Sequence, residues 1–111
     1  MGLTYWTGGI ILGLSGIYEG AIFKINPAEL IVIGRDPTYA NIVINENCNY
    51  VSRKHCSIKY NHINKTYEVT DFSKNGVIIN KSTLLSKGRR MTLNKGSVIE
   101  IGDSSNSFKL M

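Results

Sequence analysis

The apolar residues of this chain fall in short runs of period two, and turn-forming residues interrupt every run. Cys56, Ile58 and Tyr60 alternate with Ser57, Lys59 and Asn61, and Tyr67, Val69 and Asp71 alternate with Glu68, Thr70 and Phe72. Successive side chains of a strand point to opposite faces, so this is the pattern of a half-buried strand. Ile31-Val32-Ile33, Ile42-Val43-Ile44, Val77-Ile78-Ile79 and Val98-Ile99-Glu100-Ile101 are compact runs of β-branched residues, which suit a pleated surface. Between the runs stand Asn26-Pro27, Asp36-Pro37, Asn45-Glu46-Asn47, Asn61-His62-Ile63-Asn64, Asn75-Gly76, Lys95-Gly96 and Gly102-Asp103. Each favours a turn through a fixed φ, a positive φ or a side chain that bonds its own backbone. No window of a dozen residues has helical spacing. Strands this short and this regularly interrupted predict an all-β sandwich or barrel, with one face of each sheet buried against the other.

The 111 residues suffice for one domain with a real core. Thirteen Lys and Arg against eight Asp and Glu leave a formal charge of +5, which favours an anionic partner without naming one. Cys48 and Cys56 are the only cysteines, and with His55 and His62 they match no common zinc spacing, so neither a metal nor a cofactor is expected. Free thiols fit a reducing compartment, and the expectation is a cytoplasmic protein. The first 23 residues hold one charged side chain, Glu19, so a basic export region is missing. Ile10-Ile11-Leu12 is stopped by Gly13, far too short to span a bilayer. Met1-Gly2 opens like a myristoylation motif, but Trp6 stands where that motif needs Ser or Thr.

Binding residues of a sandwich concentrate in the loops at its ends. Three features stand out: Gly34-Arg35, Ser52-Arg53-Lys54-His55 and Asn75-Gly76. Singly, each has a plain structural reading as a turn cation, a turn hydroxyl and a hairpin turn. Their order is more informative. Ser52 follows Gly34 by 18 positions, and Asn75 follows His55 by 20. With Gly16 and Gly20, Asn41-Ile42-Val43-Ile44, Asn80 and the stretch from Leu93 to Gly102, this ordered set resembles the forkhead-associated (FHA) domain over roughly residues 8 to 110. On that resemblance residues 1–111 form a single FHA-like domain.

The resemblance implies a two-sheet antiparallel β-sandwich that binds phosphothreonine in a partner protein, as a module and not an enzyme. A phosphothreonine presents nearly two negative charges and three acceptor oxygens. Arg35 matches the family's phosphate-binding arginine, Ser52 its hydroxyl donor, and Asn75 the residue that bonds peptide backbone beside the phosphothreonine. Arg53 is implied as an assistant. Lys74, where Ser or Thr is common in the family, either adds a point charge or stays solvated. Asn49 and Tyr50 are candidates for setting peptide preference. Gly34, His55 and Gly76 are implied as structural supports, and Cys56 as a core residue. Val77 replaces a common Thr, and Lys81 replaces a common Gly. A lysine at positive φ would be strained, so a different turn type is expected there.

The implied partner is a phosphothreonine-containing protein, such as a Ser/Thr kinase or its substrate in a signalling pathway, with no nucleic acid and no membrane insertion. Three other readings remain open at this point. Ser52 and His55 could form a nucleophile and base, although no G-x-S-x-G turn or orienting acid accompanies them. The +5 charge permits nucleic-acid binding, although the cations are spread along the chain without a stacking motif. The same fold could also serve as a phosphate-independent scaffold.

Overall fold

A computed structural model describes residues 6–45 and 47–111. The Met1-Gly2 start and Glu46, the middle of one expected turn, lie outside the described residues. Eleven strands follow in order: β1 (Gly9–Ser15), β2 (Ile22–Ile25), β3 (Leu30–Gly34), β4 (Ile42–Val43), β5 (Cys56–Asn61), β6 (Thr66–Asp71), β7 (Val77–Ile79), β8 (Thr83–Leu85), β9 (Arg90–Asn94), β10 (Val98–Ile101) and β11 (Ser107–Leu110). They form a six-stranded sheet of order β2-β1-β11-β10-β7-β8 and a five-stranded sheet of order β4-β3-β5-β6-β9. Of the sandwich and barrel that the alternating pattern allows, the fold is therefore the two-sheet sandwich that the resemblance implies. All pairings are antiparallel except that of β3 with β4, where Ile33 pairs with Ile42 and Gly34 with Val43 in parallel.

The alternating residues of both sheets meet in one core. Ile33, Cys56, Ile58, Tyr67 and Val69 come from the five-stranded sheet, and Ile11, Ile99, Ile101, Phe108 and Leu110 from the six-stranded one; all are fully buried. Burying each large aliphatic side chain contributes about 1.5–3 kcal/mol. Two tyrosines also tie the layers through polar groups. The Tyr67 hydroxyl on β6 accepts the Ile10 N–H at 2.8 Å and donates to the Met111 carbonyl. The Tyr18 hydroxyl, from the β1–β2 connection, donates to the Val43 carbonyl at 2.6 Å.

The β7–β8 turn corrects one expectation. Asn80 (φ 50°) and Lys81 (φ 60°) both adopt the left-handed conformation, and Ser82 N–H donates to the Ile79 carbonyl at 3.1 Å. That is a type I′ turn, whose twist matches the flanking strands, so strand geometry overrides the preference of lysine. Asn80 is also held from the side. Its N–H donates to the Val98 carbonyl and its Oδ1 accepts the Val98 N–H, both at 2.8 Å. The exposed Lys81 ammonium reaches the buried Glu100 carboxylate at 3.9 Å. A left-handed non-glycine residue costs about 1–2 kcal/mol, more than so exposed a pair returns. Lys81→Gly is therefore expected to raise unfolding free energy by about 1 kcal/mol in urea denaturation. A loss of stability would show that the Glu100 pair outweighs the strain.

Candidate functional site

The order of the five-stranded sheet brings distant parts of the chain to one end. β3 leaves the sheet at Gly34, its neighbour β5 enters at Cys56, and the next strand, β6, leaves at Asp71. Arg35, residues 52–55 and residues 72–76 therefore lie side by side at this pole. The first two segments are joined by backbone bonds. Arg35 N–H donates to the Ser52 carbonyl (3.1 Å), Asp36 N–H to the Arg53 carbonyl (3.3 Å) and His55 N–H to the Ile33 carbonyl (2.8 Å). Such close approach explains Gly34. A Cβ there would lie 2.0 Å from the Arg53 carbonyl oxygen, so space rather than φ demands glycine.

Arg35 is half-buried, and its Nε–H donates to the Val51 carbonyl at 2.8 Å. This single bond orients the planar guanidinium and leaves its other N–H groups for a further acceptor. The Ser52 Oγ accepts the Lys74 N–H at 3.1 Å. With that lone pair occupied, the hydroxyl proton remains to be donated. The Asn75 Nδ2 donates to the Tyr50 carbonyl at 3.1 Å, while its exposed amide keeps an acceptor and a second donor hydrogen.

His55 is fully buried between these loops. Its Nδ1 accepts the Ser52 N–H at 3.0 Å, so that nitrogen carries no proton. The proton resides on Nε2, which donates to the Gly76 carbonyl at 2.8 Å. Burial holds the imidazole pKa below its ordinary value, and the Gly76 bond and Asp71 charge oppose this more weakly. Neither ring nitrogen is left to take the Ser52 hydroxyl proton, so the geometry is that of a brace and not of a nucleophile–base pair.

Two further residues complete the brace, and sequence reasoning passed over both as site residues. Ser73 Oγ donates to Asp71 Oδ1 at 2.6 Å and accepts the Gly76 N–H at 2.7 Å. Gly76 is thus held at its N–H by Ser73 and at its carbonyl by His55, which sets the position of Asn75. Asp71 is fully buried, and its Oδ2 has no partner among the described residues. Burial pushes its carboxyl above the usual range, against the lowering effects of the Ser73 bonds and the His55 and Lys87 charges. A carboxylate at a core-facing strand position, two residues before a serine, is the signal that marks the pair. Gly76 has φ +83°, and a Cβ would sit 2.7 Å from a Leu84 methyl and 2.9 Å from the Leu85 carbonyl oxygen.

Around this brace the surface is cationic. Arg53, Lys54 and Lys74 are exposed. The Lys54 ammonium lies 4.2 Å above the Phe72 ring, a cation–π contact that anchors its stem. Tyr39, Ser52, Arg53, Lys54 and Phe72 line a cleft of about 310 Å³. Asp36 accepts the Thr38 N–H at 2.8 Å, and these Thr38 bonds, aided by the Arg53 and Arg35 charges, keep its carboxylate below the usual pKa range. Tyr50 is exposed beside Asn75 and backed by Gly102, where a Cβ would lie 2.2 Å from the Tyr50 carbonyl oxygen. Asn49 is exposed next to it, and among the described residues its side chain makes no hydrogen bond. Cys56 is fully buried, with its thiol pKa pushed well up by burial, so it packs rather than reacts. The arrangement offers an arginine fork, a hydroxyl and an amide on a rigid support, which suits one compact anion attached to a peptide.

The FHA domain model matches residues 31–102, which include every segment of this pole. The FHA domain of the CT664 protein from Chlamydia trachomatis is similar at 27% identity and a TM-score of 0.78, covering 94% of this chain and 96% of that one. Mycobacterium tuberculosis EmbR in complex with a low-affinity phosphopeptide is 26% identical with a TM-score of 0.70, covering 94% of this chain and 24% of that one. The MEK1 FHA domain in complex with a phosphothreonine peptide of HOP1 shares the fold at 20% identity and a TM-score of 0.74, over 94% of this chain and 95% of that one. None of the curated proteins matches the chain significantly.

His55 makes stability depend on pH with a definite sign, opposite to that of Asp71, whose raised carboxyl pKa favours the folded state as pH falls toward 3.8. Below pH 6.5 the unfolded imidazole binds a proton that the folded one still refuses, so stability falls until the lowered folded pKa is reached. Denaturation midpoints measured from pH 7.5 downward should show this loss, and His55→Gln should flatten it while lowering stability at pH 7.5. An unchanged slope in the variant would remove His55 as its source. Gly34→Ala should lose about 1–3 kcal/mol, the cost of overpacking, because the atoms it meets are backbone. Wild-type stability in that variant would mean that the 52–55 segment yields freely.

Proposed function

The chain belongs to the FHA domain family, and on that premise we propose that it is a non-catalytic module recognising phosphothreonine in a partner protein. The phosphate sits between Arg35 and Ser52. Arg35 donates from the guanidinium N–H groups that Val51 leaves free, and Ser52 donates its hydroxyl proton. Asn75 bonds the peptide backbone beside the phosphothreonine. Arg53 and Lys74 supply further positive charge at the rim, and Asn49 and Tyr50 meet flanking side chains. The observation that carries this reading is the direct coupling of the two phosphate donors, Arg35 N–H to Ser52 carbonyl, which holds them in register before any ligand arrives.

Magnitudes support a reversible reader. Each charge-assisted bond contributes about 1.5–3 kcal/mol. Several such bonds, less the free energy lost in association and ordering, leave an affinity near the micromolar level, about −8 kcal/mol. The partner class is a Ser/Thr kinase or a kinase substrate, which places the module in cytoplasmic signalling. Two of the similar structures are complexes with phosphopeptides, which supports the same class of ligand.

The test is a titration of phosphothreonine, phosphoserine and unphosphorylated versions of one degenerate peptide library, followed by fluorescence anisotropy. The phosphothreonine library should bind best and the unphosphorylated one not measurably. Arg35→Ala should weaken binding at least 30-fold with an unchanged circular dichroism spectrum, since it removes about 2 kcal/mol or more of charge-assisted bonding. Equal binding of the phosphorylated and unphosphorylated libraries would sink the proposal in favour of a phosphate-independent scaffold.

A further inference from the structure

The pole opposite the phosphate donors has a different chemistry. β5 and β6 run between the two ends, six residues each, or about 20 Å. Four segments meet at the far end: residues 6–8 before β1, residues 26–29 before β3, the β5–β6 turn and the β9–β10 turn. The β5–β6 turn is held by its own side chain. Asn61 Oδ1 accepts the Ile63 N–H at 3.0 Å and the Asn64 N–H at 3.1 Å, so the backbone is fixed without help from the Ile63 side chain. That side chain is left 79% exposed at the tip, more than any other large apolar residue among those described. The β9–β10 turn is pinned as well. Ser97 N–H donates to the Asn94 carbonyl (3.2 Å) and Leu110 N–H to the Ser97 carbonyl (2.8 Å).

Trp6, the only tryptophan of the chain, stands beside these turns. Its indole N–H donates to the Gly9 carbonyl at 2.9 Å, and its ring folds back over Gly8, where a Cβ would lie 2.8 Å from it. The Lys24 ammonium lies 5.2 Å from the ring centroid. Trp6, His62, Lys65 and Lys95 line a cleft of about 370 Å³. Leu30 and Met111 are further exposed apolar residues at this end. Lys24, Lys65 and Lys95 are exposed and, among the described residues, form no ion pair. Residues 6–8, 61–65 and 94–97 contain no acidic side chain. The one acid of residues 26–29, Glu29, already accepts the Asn26 N–H at 2.9 Å. Apolar tips therefore alternate with unpaired cations and do not merge into one patch. A protein partner is matched by a continuous, shape-complementary core of contacts. An anionic bilayer surface needs no such match, because its headgroups take the cations and its acyl boundary takes the tips. Tryptophan is the residue enriched at that boundary.

We propose that this pole docks peripherally on an anionic lipid surface, with Ile63 entering the boundary between headgroups and acyl chains, Trp6 lying among the headgroups, and Lys24, Lys65 and Lys95 meeting their anionic groups. Only side chains reach the bilayer. The phosphate-donor pole is then held facing away from the lipid, about 20 Å off, and free to take a ligand. The docking stands independently of the phosphothreonine reading. With one isoleucine, one indole and three lysines it is reversible and weakens with salt.

The experiment sediments the protein with vesicles of phosphatidylcholine, alone or with about 30% phosphatidylserine, at about 50 mM and 300 mM salt. The protein should partition onto the anionic vesicles at low salt and not onto the neutral ones. Emission from Trp6 should shift to the blue on the anionic vesicles and be quenched by brominated lipid. Lys65→Gln/Lys95→Gln should weaken partitioning about 25-fold, from about fivefold per lysine near an anionic surface. Ile63→Ser should weaken it about tenfold, the loss of one apolar side chain from the boundary. All three side chains are exposed, so the fold does not depend on them. Lys87→Gln/Arg89→Gln removes the same charge from the turn before β9, at the opposite pole, and should stay within twofold of the wild-type protein. An equal loss in both double variants, full binding by Ile63→Ser, or a Trp6 emission unmoved by anionic vesicles leaves only diffuse charge attraction and overturns the docking. Soluble glycerophosphoserine that competes as well as vesicles do would make the Trp6 cleft a small-anion site. A single-stranded oligonucleotide bound through Lys65 and Lys95, with no binding to vesicles, would make the pole a nucleic-acid surface. Either result overturns the docking.

Discussion

One buried imidazole joins the loops on which the pole of this sandwich depends. His55 takes a hydrogen bond from the Ser52 backbone on one side and gives one to the Gly76 carbonyl on the other. Ser52 and Asn75 are 23 positions apart in the chain, yet Ser52 is bonded directly to this ring and Asn75 is one residue from its other partner, Gly76. Loss of the ring would leave a buried donor and a buried acceptor unpaired, at about 1–3 kcal/mol each, so its structural role is large for a single side chain. The same bonds fix the tautomer, and the tautomer prevents catalysis by a Ser52–His55 pair. One geometry therefore both positions the two loops and occupies both nitrogens of the ring.

The brace works because the sheet beneath it is rigid. Gly34, Cys56 and Asp71 end or begin three adjacent strands, and Gly34, His55 and Asp71 donate or accept backbone bonds just beyond the ladder. The loops are thus short continuations of strands and not free segments. Ser73 and Asp71 extend the support into the core, where one carboxylate oxygen has no partner among the described residues. That unpaired group is destabilising by itself. It persists because the other oxygen of the same carboxylate holds the serine that positions Gly76.

Much of this is legible in the amino-acid order, for physical reasons that also explain what is not. The strands around Ile33, Ile58, Val69, Ile79 and Ile99 are plain because their apolar side chains alternate toward one core. Edge strands are harder to read. β8 and β9 face solvent on one flank, so Thr83, Leu84, Arg90 and Thr92 are exposed and alternation is weak. The Lys81 turn was misjudged because residue preference is a local quantity, whereas the turn type is set by the twist of both strands and by the Val98 bonds to Asn80. At the site, Arg35, Ser52 and Asn75 stand out by type and spacing. Asp71 and Ser73 carry only the weak signal of a core-facing carboxylate two residues before a serine, which a strand end followed by a turn serine also shows.

Preorganisation and net charge divide the labour at this pole. Donors already aimed and held lose little freedom on binding, so more of their bond energy appears as affinity. Cations spread over several strand widths act differently. They are exposed, weakly paired and screened, so their field acts on the approach of charged molecules more than on the depth of any bound state. The +5 charge of the chain is then not an undirected surplus. Nearly half of its Lys and Arg residues lie at one end of one sheet, beside donors that the buried His55, Asp71 and Ser73 hold in place.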